Sequence, residues 1–143
     1  TSIDLNISAF IPDFYIKNQE QRMELYKKIA GIRTMEEYYD MQEELEDRYG
    51  DLPKSVQLLL EVVLVKAEAH EMGIRAISHG NLLLEFQPQP NIDPQKLMQL
   101  LAKEKGKYLF TAGANPYLTI KPARGEGEKP LELIKKCFEA LKD

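Results

Sequence analysis

Tryptophan is absent from this 143-residue chain, and only one cysteine and two histidines are present. A single cysteine, Cys137, excludes an internal disulfide and suits a reducing compartment, so the expected location is the cytoplasm. The histidines, His70 and His79, offer little for metal chemistry. Neither has a His partner at i,i+4 or a Cys neighbour, so no metal site and no cofactor are expected. Long hydrophobic runs are also lacking. The most apolar stretch, Leu58–Val65 "LLLEVVLV", is too short to span a bilayer and contains Glu61. No basic leader precedes an apolar segment, so no signal peptide is expected. The first residue is Thr1 rather than Met, which suggests a piece cut from a longer protein or removal of the initiator.

A positive balance is missing as well. The formal net charge is −4, so the chain as a whole exerts no long-range pull on nucleic acid or an anionic membrane; a basic partner suits it better. Ordinary apolar and charged fractions, 43% and 29%, fit a globular chain with a proper core. The length is most simply one domain over residues 1–143.

Ile3, Leu5, Ile7, Ala9 and Ile11 alternate with mostly polar neighbours, the period of a half-buried strand or extended arm. Pro12 and Asp13 end it. A first helix is expected from about Asn18 to Ile32, with Met23, Tyr26, Ile29 and Ala30 at helical spacing. Thr34, with Glu37 three residues on, forms a capping box for a second helix. On that helix Tyr38, Met41, Leu45 and Tyr49 share one side. Glu36, Asp40, Glu43 and Asp47 share the other, with Glu44 at its edge. Gly50 can close the helix in the left-handed conformation, and Pro53 restarts the chain. The third helix runs to about Met72. It is apolar on most sides, which predicts burial as the central element of the core.

The stretch "IRAISHGNLLLEFQ" predicts a hairpin of Ile74–Ala76 and Leu82–Phe86 around His79-Gly80-Asn81. Asp93-Pro94 starts a helix bearing Leu97, Met98, Leu100 and Leu101. A second strand pair, Lys107–Thr111 and Tyr117–Lys121, surrounds "AGANP". A loop "RGEGEK" follows, and Pro130 opens a last helix with a stripe of Leu131, Ile134, Cys137, Phe138 and Leu141. Hairpin-length connections make the sheet mainly antiparallel. The fold class is α+β: a helical N-terminal half, then a small sheet with flanking helices.

Catalytic constellations are not visible. Cys137 sits on an apolar stripe, where a structural thiol belongs. Gly125–Gly127 "GEG" lacks the ending and the setting of a phosphate loop. No acid pair is marked out as a general acid and base. The expectation is therefore no catalytic residue and no enzyme activity in this chain. A nucleic-acid surface has some support from Lys103, Lys105 and Lys107 beside Tyr108, with Lys121 and Arg124 following. Their ordinary reading is a solvated face.

The acidic helix is the remaining feature. From periodicity alone its outer side is a solvated face. Yet Glu43, Glu44, Glu46 and Asp47 crowd its C-terminal turns, where the helix dipole favours cations. They also repel one another at i,i+3 and i,i+4. A basic partner surface would relieve both costs.

The segments "IDLNISAFIPDFYI", "QRMELYKKIAGIRTMEE", "ELEDRYGDLP" and "AHEMGIRAI", in that order, resemble the C-terminal domain of the bacterial transcription-repair coupling factors (the Mfd family). The resemblance implies a large parent protein, an ATP-dependent, helicase-like DNA translocase that binds ATP and DNA. It displaces stalled RNA polymerase at DNA damage and recruits nucleotide excision repair through UvrA. It implies that the C-terminal domain is regulatory, docking on an N-terminal UvrB-like module and masking its UvrA-binding surface, an autoinhibition. The family's docking acids fall on Glu44 and Asp47, extended here by Asp40 and Glu43. Arg48, Tyr49, Gly50 and Pro53 match the rest of the motif and are expected to fix the joint between two helices. The implied partners are the N-terminal module and, indirectly, UvrA and RNA polymerase, with no membrane and no direct nucleic-acid contact. The alternative is a nucleic-acid-binding accessory domain.

Overall fold

A computed structural model describes residues 2–4, 8–78, 82–88, 90–104, 106–121 and 130–142. The elements are β1 (Ser2–Asp4), α1 (Gln19–Ala30), α2 (Met35–Tyr49), α3 (Lys54–Glu71), β2 (Ile74–Ser78), β3 (Leu82–Phe86), α4 (Pro94–Lys103), β4 (Tyr108–Thr111), β5 (Tyr117–Ile120) and α5 (Pro130–Lys142). The class is α+β, as expected. Two compact units divide the chain, Ile7–Glu68 and the combination of Thr1–Asn6 with Ala69–Asp143.

The helical unit is built on short apolar stripes. α1 starts at Asn18, whose side chain accepts a hydrogen bond from the Gln21 N–H at 3.1 Å. Its buried residues are Leu25 and Ile29, spaced i,i+4. The expected set is corrected here: Met23 is 56% exposed, and Ala30 is exposed too. Tyr26 is turned to use its hydroxyl, which accepts from the Ile11 N–H at 2.7 Å. That bond draws the N-terminal segment onto α1 and buries Ile11. Among the described residues, the alternation from Ile3 to Ile11 gives a strand at Ser2–Asp4, and residues 8–12 are irregular chain. Leu5 and Ile7 lie outside the described residues.

α2 buries Leu45, with Tyr38, Met41 and Tyr49 packed at the edge of the same cluster. α3 contributes Val56, Leu60 and Leu64 to that cluster, with Leu59 and Val63 beside them. Val65, Ala67 and Ala69 of α3 are buried as well and Leu58, Leu59, Val62 and Val63 are half-buried, so the helix is covered on most sides and exposes only Lys54, Gln57, Lys66, His70 and Glu71. A fully buried Leu contributes roughly 1.5–3 kcal/mol, so the stripe Val56–Leu60–Leu64 carries much of this unit.

The other unit contains a five-stranded sheet of order β1-β2-β3-β5-β4. Pairings β2–β3, β3–β5 and β5–β4 are antiparallel, and β1 joins β2 in parallel. A parallel pair needs a long connection; here that connection carries α1, α2 and α3. Leu82, Leu84 and Phe86 alternate as the buried positions of β3. α4 packs against α5 and β4, burying Leu97 and Leu100. Met98, expected among the apolar positions, points outward at 69% exposure. Leu131, Ile134, Cys137, Phe138 and Leu141 of α5 are buried as expected. The expected turn His79-Gly80-Asn81 and the "RGEGEK" loop lie outside the described residues.

Candidate docking face

α2 is capped at its start by Thr34, whose Oγ1 accepts from the Glu37 N–H at 3.1 Å. Only half of the expected capping box forms. The Glu37 carboxylate accepts from the Arg33 N–H at 3.3 Å rather than from Thr34. Packing of Leu45 with Tyr38, Met41 and Tyr49 turns this side of the helix inward, while Asp40, Glu43 and Asp47 are exposed.

The four expected docking acids do not share one environment. Glu44 is half-buried and holds two cations, Lys28 of α1 at 3.8 Å and Arg48 at 3.7 Å. Asp40, Glu43 and Asp47 have no ion pair among the described residues. Asp40 and Glu44 border a groove of about 310 Å³ whose other lining includes Lys28, Gly31, Ile32, Glu37 and Met41. Glu43 and Asp47 are not part of that lining. The face therefore has a partly neutralised member in Glu44 and an uncompensated one in Asp47. Asp47 lies in the last turn, where the helix carbonyls already carry partial negative charge.

The corner after α2 is held by more than its own motif. Gly50 has φ +90° and ψ −166°. The positive φ is as expected, but ψ lies far from the left-handed helical value, in a region essentially reserved for glycine. The Gly50 N–H still donates to Glu46 O at 2.9 Å. The Gly50 carbonyl meets the Tyr15 hydroxyl at 2.8 Å, and the same hydroxyl lies 3.1 Å from Leu45 O. A phenol has one proton to give, so it is shared between the carbonyls of Leu45 and Gly50, and it supplies the Gly50 carbonyl, just past the helix end, with a partner. The Tyr15 ring lies against Tyr49, centroids 5.8 Å apart and tilted 54°. Burial is the main cause holding the Tyr15 phenol above its ordinary value, with Glu46 and Asp51 adding to it. Arg48 lies over the Tyr49 ring at 5.1 Å from its centroid, a cation–π contact.

Beyond the corner, Pro53 precedes α3 and its carbonyl accepts from the Val56 and Gln57 N–H groups, each at 3.0 Å. The Gln57 side chain donates to Leu52 O at 3.1 Å. The Phe10 N–H donates to Ser55 O at 3.2 Å. Arg48, Tyr49, Gly50 and Pro53 thus all lie at the joint. Tyr15 and Lys28 belong to the same constellation and were not singled out from sequence. "DFYI" gave one signal for Tyr15, an aromatic just after a proline turn, but its target is 35 residues away.

The face can attract cations. Among the described residues no cluster of His, Cys, Asp and Glu is arranged to hold a metal ion. Cys137 is buried, and burial, with Glu104 adding to it, pushes its thiol up to about 12. A thiol so protonated is a poor nucleophile.

With this geometry in view, similarities to known proteins are informative. The family model described as the TRCF domain matches residues 5–97. A transcription-repair-coupling factor of Bacillus subtilis (strain 168) is 28% identical over 149 aligned positions, covering 100% of this chain and 13% of that relative. One from Staphylococcus aureus (strain USA300) is 29% identical over 142 positions, covering 96% of this chain and 12% of the relative. The chain therefore spans only about an eighth of the length of these relatives. A crystal structure of a C-terminal domain of transcription-repair coupling factor superposes with a TM-score of 0.79 at 26% identity, covering 98% of this chain and 91% of that one.

Proposed function

The chain belongs to the TRCF domain family, and from that membership we propose that it acts as a non-catalytic regulatory domain within a transcription-repair coupling factor. It docks through the α2 acidic face on an N-terminal UvrB-like module of the same parent. Docking masks the UvrA-binding surface of that module, and engagement of RNA polymerase releases it. The parent's ATP-driven translocation on DNA belongs to other parts of that protein, and the setting is cytoplasmic.

One observation carries the reading. Asp47 is exposed at the negative end of α2, beside Glu43, with no ion pair among the described residues. Its neighbour Glu44 takes both nearby cations. An uncompensated acid at a helix C-terminus costs a few tenths of a kcal/mol in isolation, and arginines on a partner would offset that cost. Such exposed pairs weaken with ionic strength.

The test is the double reversal Glu44→Lys/Asp47→Lys in the full-length parent. UvrA should bind the variant more tightly than the wild type. A pull-down of the N-terminal module by this chain should succeed at low salt and fade at high salt. Unchanged UvrA affinity in the double variant overturns the assignment of these acids.

A further inference from the structure

A concave surface of the sheet unit lies where α4, the start of β4 and α5 come together. It is a cleft of about 390 Å³, bordered by Lys96, Lys103, Glu104, Lys107, Lys136 and Glu139. The volume is in the range of small-molecule sites. Four lysines against two glutamates give it a formal charge of the opposite sign to the chain's −4.

The fold assembles this cleft from three separate segments. On α4, Lys96, Leu100 and Lys103 recur at i, i+4 and i+7, one stripe of the helix. On α5, Lys136, Glu139 and Ala140 do the same at i, i+3 and i+4. Between them Gly106 takes φ +86°, which turns the chain sharply enough for the Lys107 N–H to donate to Glu104 O at 3.2 Å. The Lys107 carbonyl then accepts from the Lys121 N–H at 2.7 Å, fixing Lys107 at the mouth. Lys96 and Lys107 are half-buried, while Lys103 and Lys136 are exposed. Buried Tyr108 forms part of the wall. A half-buried ammonium is less screened by water than a free one, so its attraction for an anion is stronger. The sequence alone grouped Lys103, Lys105 and Lys107 by proximity; Lys105 and Arg124 lie outside the described residues. The structure instead joins Lys103 and Lys107 with Lys96 and Lys136.

We propose that the α4–β4–α5 cleft binds a phosphate ester, with Lys96, Lys103, Lys107 and Lys136 facing its charge. Ammonium groups serve phosphate as point charges without demanding bidentate geometry. Glu104 and Glu139 remain as acceptors for hydroxyl or amino groups, which a bare polyanion lacks and a nucleotide carries. The ester can come from a free nucleotide or from the backbone of a single strand. A duplex does not enter a cleft of this size. This inference is independent of the α2 face, which lies in the other unit.

The 143-residue chain is titrated at low salt with inorganic pyrophosphate and, separately, with a single-stranded thymidine decamer. Binding is read by calorimetry and by backbone amide shifts. The expected result is saturable binding of at least one probe, with shifts confined to residues 94–108 and 131–141. Lys103→Glu/Lys107→Glu should weaken it about tenfold or more, and raising salt should weaken it further. Lys96→Gln/Lys136→Gln, which is milder for folding, should weaken it in the same direction. Lys17→Glu on the helical unit should leave it unchanged. Binding of pyrophosphate identifies the charge of a free phosphate group as sufficient; binding of the decamer alone identifies a strand. No binding of either probe, or binding of both lysine variants equal to that of the wild type, overturns the proposal.

Discussion

The Tyr15 hydroxyl and the Gly50 carbonyl are joined at 2.8 Å, tying the segment before α1 to the corner after α2. Tyr15→Phe keeps the ring on Tyr49 and removes only this bond and its weaker branch to Leu45. Equilibrium urea denaturation should show a loss of about 0.5–1.5 kcal/mol. Tyr15 and Tyr38 both sit above the ordinary phenol value of 10.0, chiefly through burial. The folded state therefore holds these protons more firmly than the unfolded chain. Their contribution is fully present below pH 10 and lost as pH rises past it. Tyr15→Phe should flatten that alkaline loss in a pH series of melts.

Tyr49 makes the opposite case. Its hydroxyl is buried with no hydrogen-bond partner among the described residues. Tyr49→Phe removes an unsatisfied polar atom and keeps both ring contacts. Stability should stay level or rise by up to about 1 kcal/mol. A drop as large as that of Tyr15→Phe in the same urea assay would show that the hydroxyl is satisfied.

Asp47 separates function from stability. Asp47→Lys places a cation at the negative end of α2 and removes repulsion with Glu43 and Glu44. Thermal melts of the isolated chain should show a gain of about 0.3–1 kcal/mol. Binding to the N-terminal module should weaken in the same variant. Glu44→Gln should cost the isolated chain less than about 1 kcal/mol, because both its ion pairs are exposed and long.

Two glycines should differ in their tolerance of alanine. At Gly50 a Cβ would meet nothing within 4 Å, so Gly50→Ala carries backbone strain alone, about 1–3 kcal/mol. At Gly73, φ is +78° and a Cβ would lie 2.8 Å from Pro90 Cα and 3.1 Å from Asn91 N. Those are backbone atoms, and the Asn91 N–H is held by Met72 O at 2.9 Å. Gly73→Ala should be the more destabilising by chemical denaturation, since strain and clash add.

Cys137 should resist modification. It is buried and its thiol stays protonated well above neutral pH. Iodoacetamide at pH 8, followed by mass spectrometry, should label it only when denaturant opens the unit. Rapid labelling in native buffer would contradict this burial.

Much of the fold was legible because its signals are local. Thr34 and Asp93 announce helix starts by their side chains alone. The alternation Leu82, Leu84, Phe86 marks a strand face without reference to its neighbours. What failed depended on which apolar residue wins the interior. Met23 and Leu25 both sit on α1, and periodicity does not choose between them. Leu25 lies i−4 from Ile29 and goes inside, while Met23 faces out. β1 could not be paired from sequence either, since its partner β2 lies beyond three helices.

The candidate site divides along the same line. The sequence by itself placed Asp40, Glu43, Glu44 and Asp47 on one helix surface, because helical pitch fixes that from spacing. It also placed a break at Gly50 and Pro53, because their backbone preferences are intrinsic. Only tertiary structure decided that Glu44 is shared with Lys28 from another helix while Asp47 is not. It likewise decided that Tyr15 fastens the corner, and that Lys96 and Lys136 line the same cleft. Those relations join residues far apart in the chain. They depend on how helices pack, which no local propensity specifies.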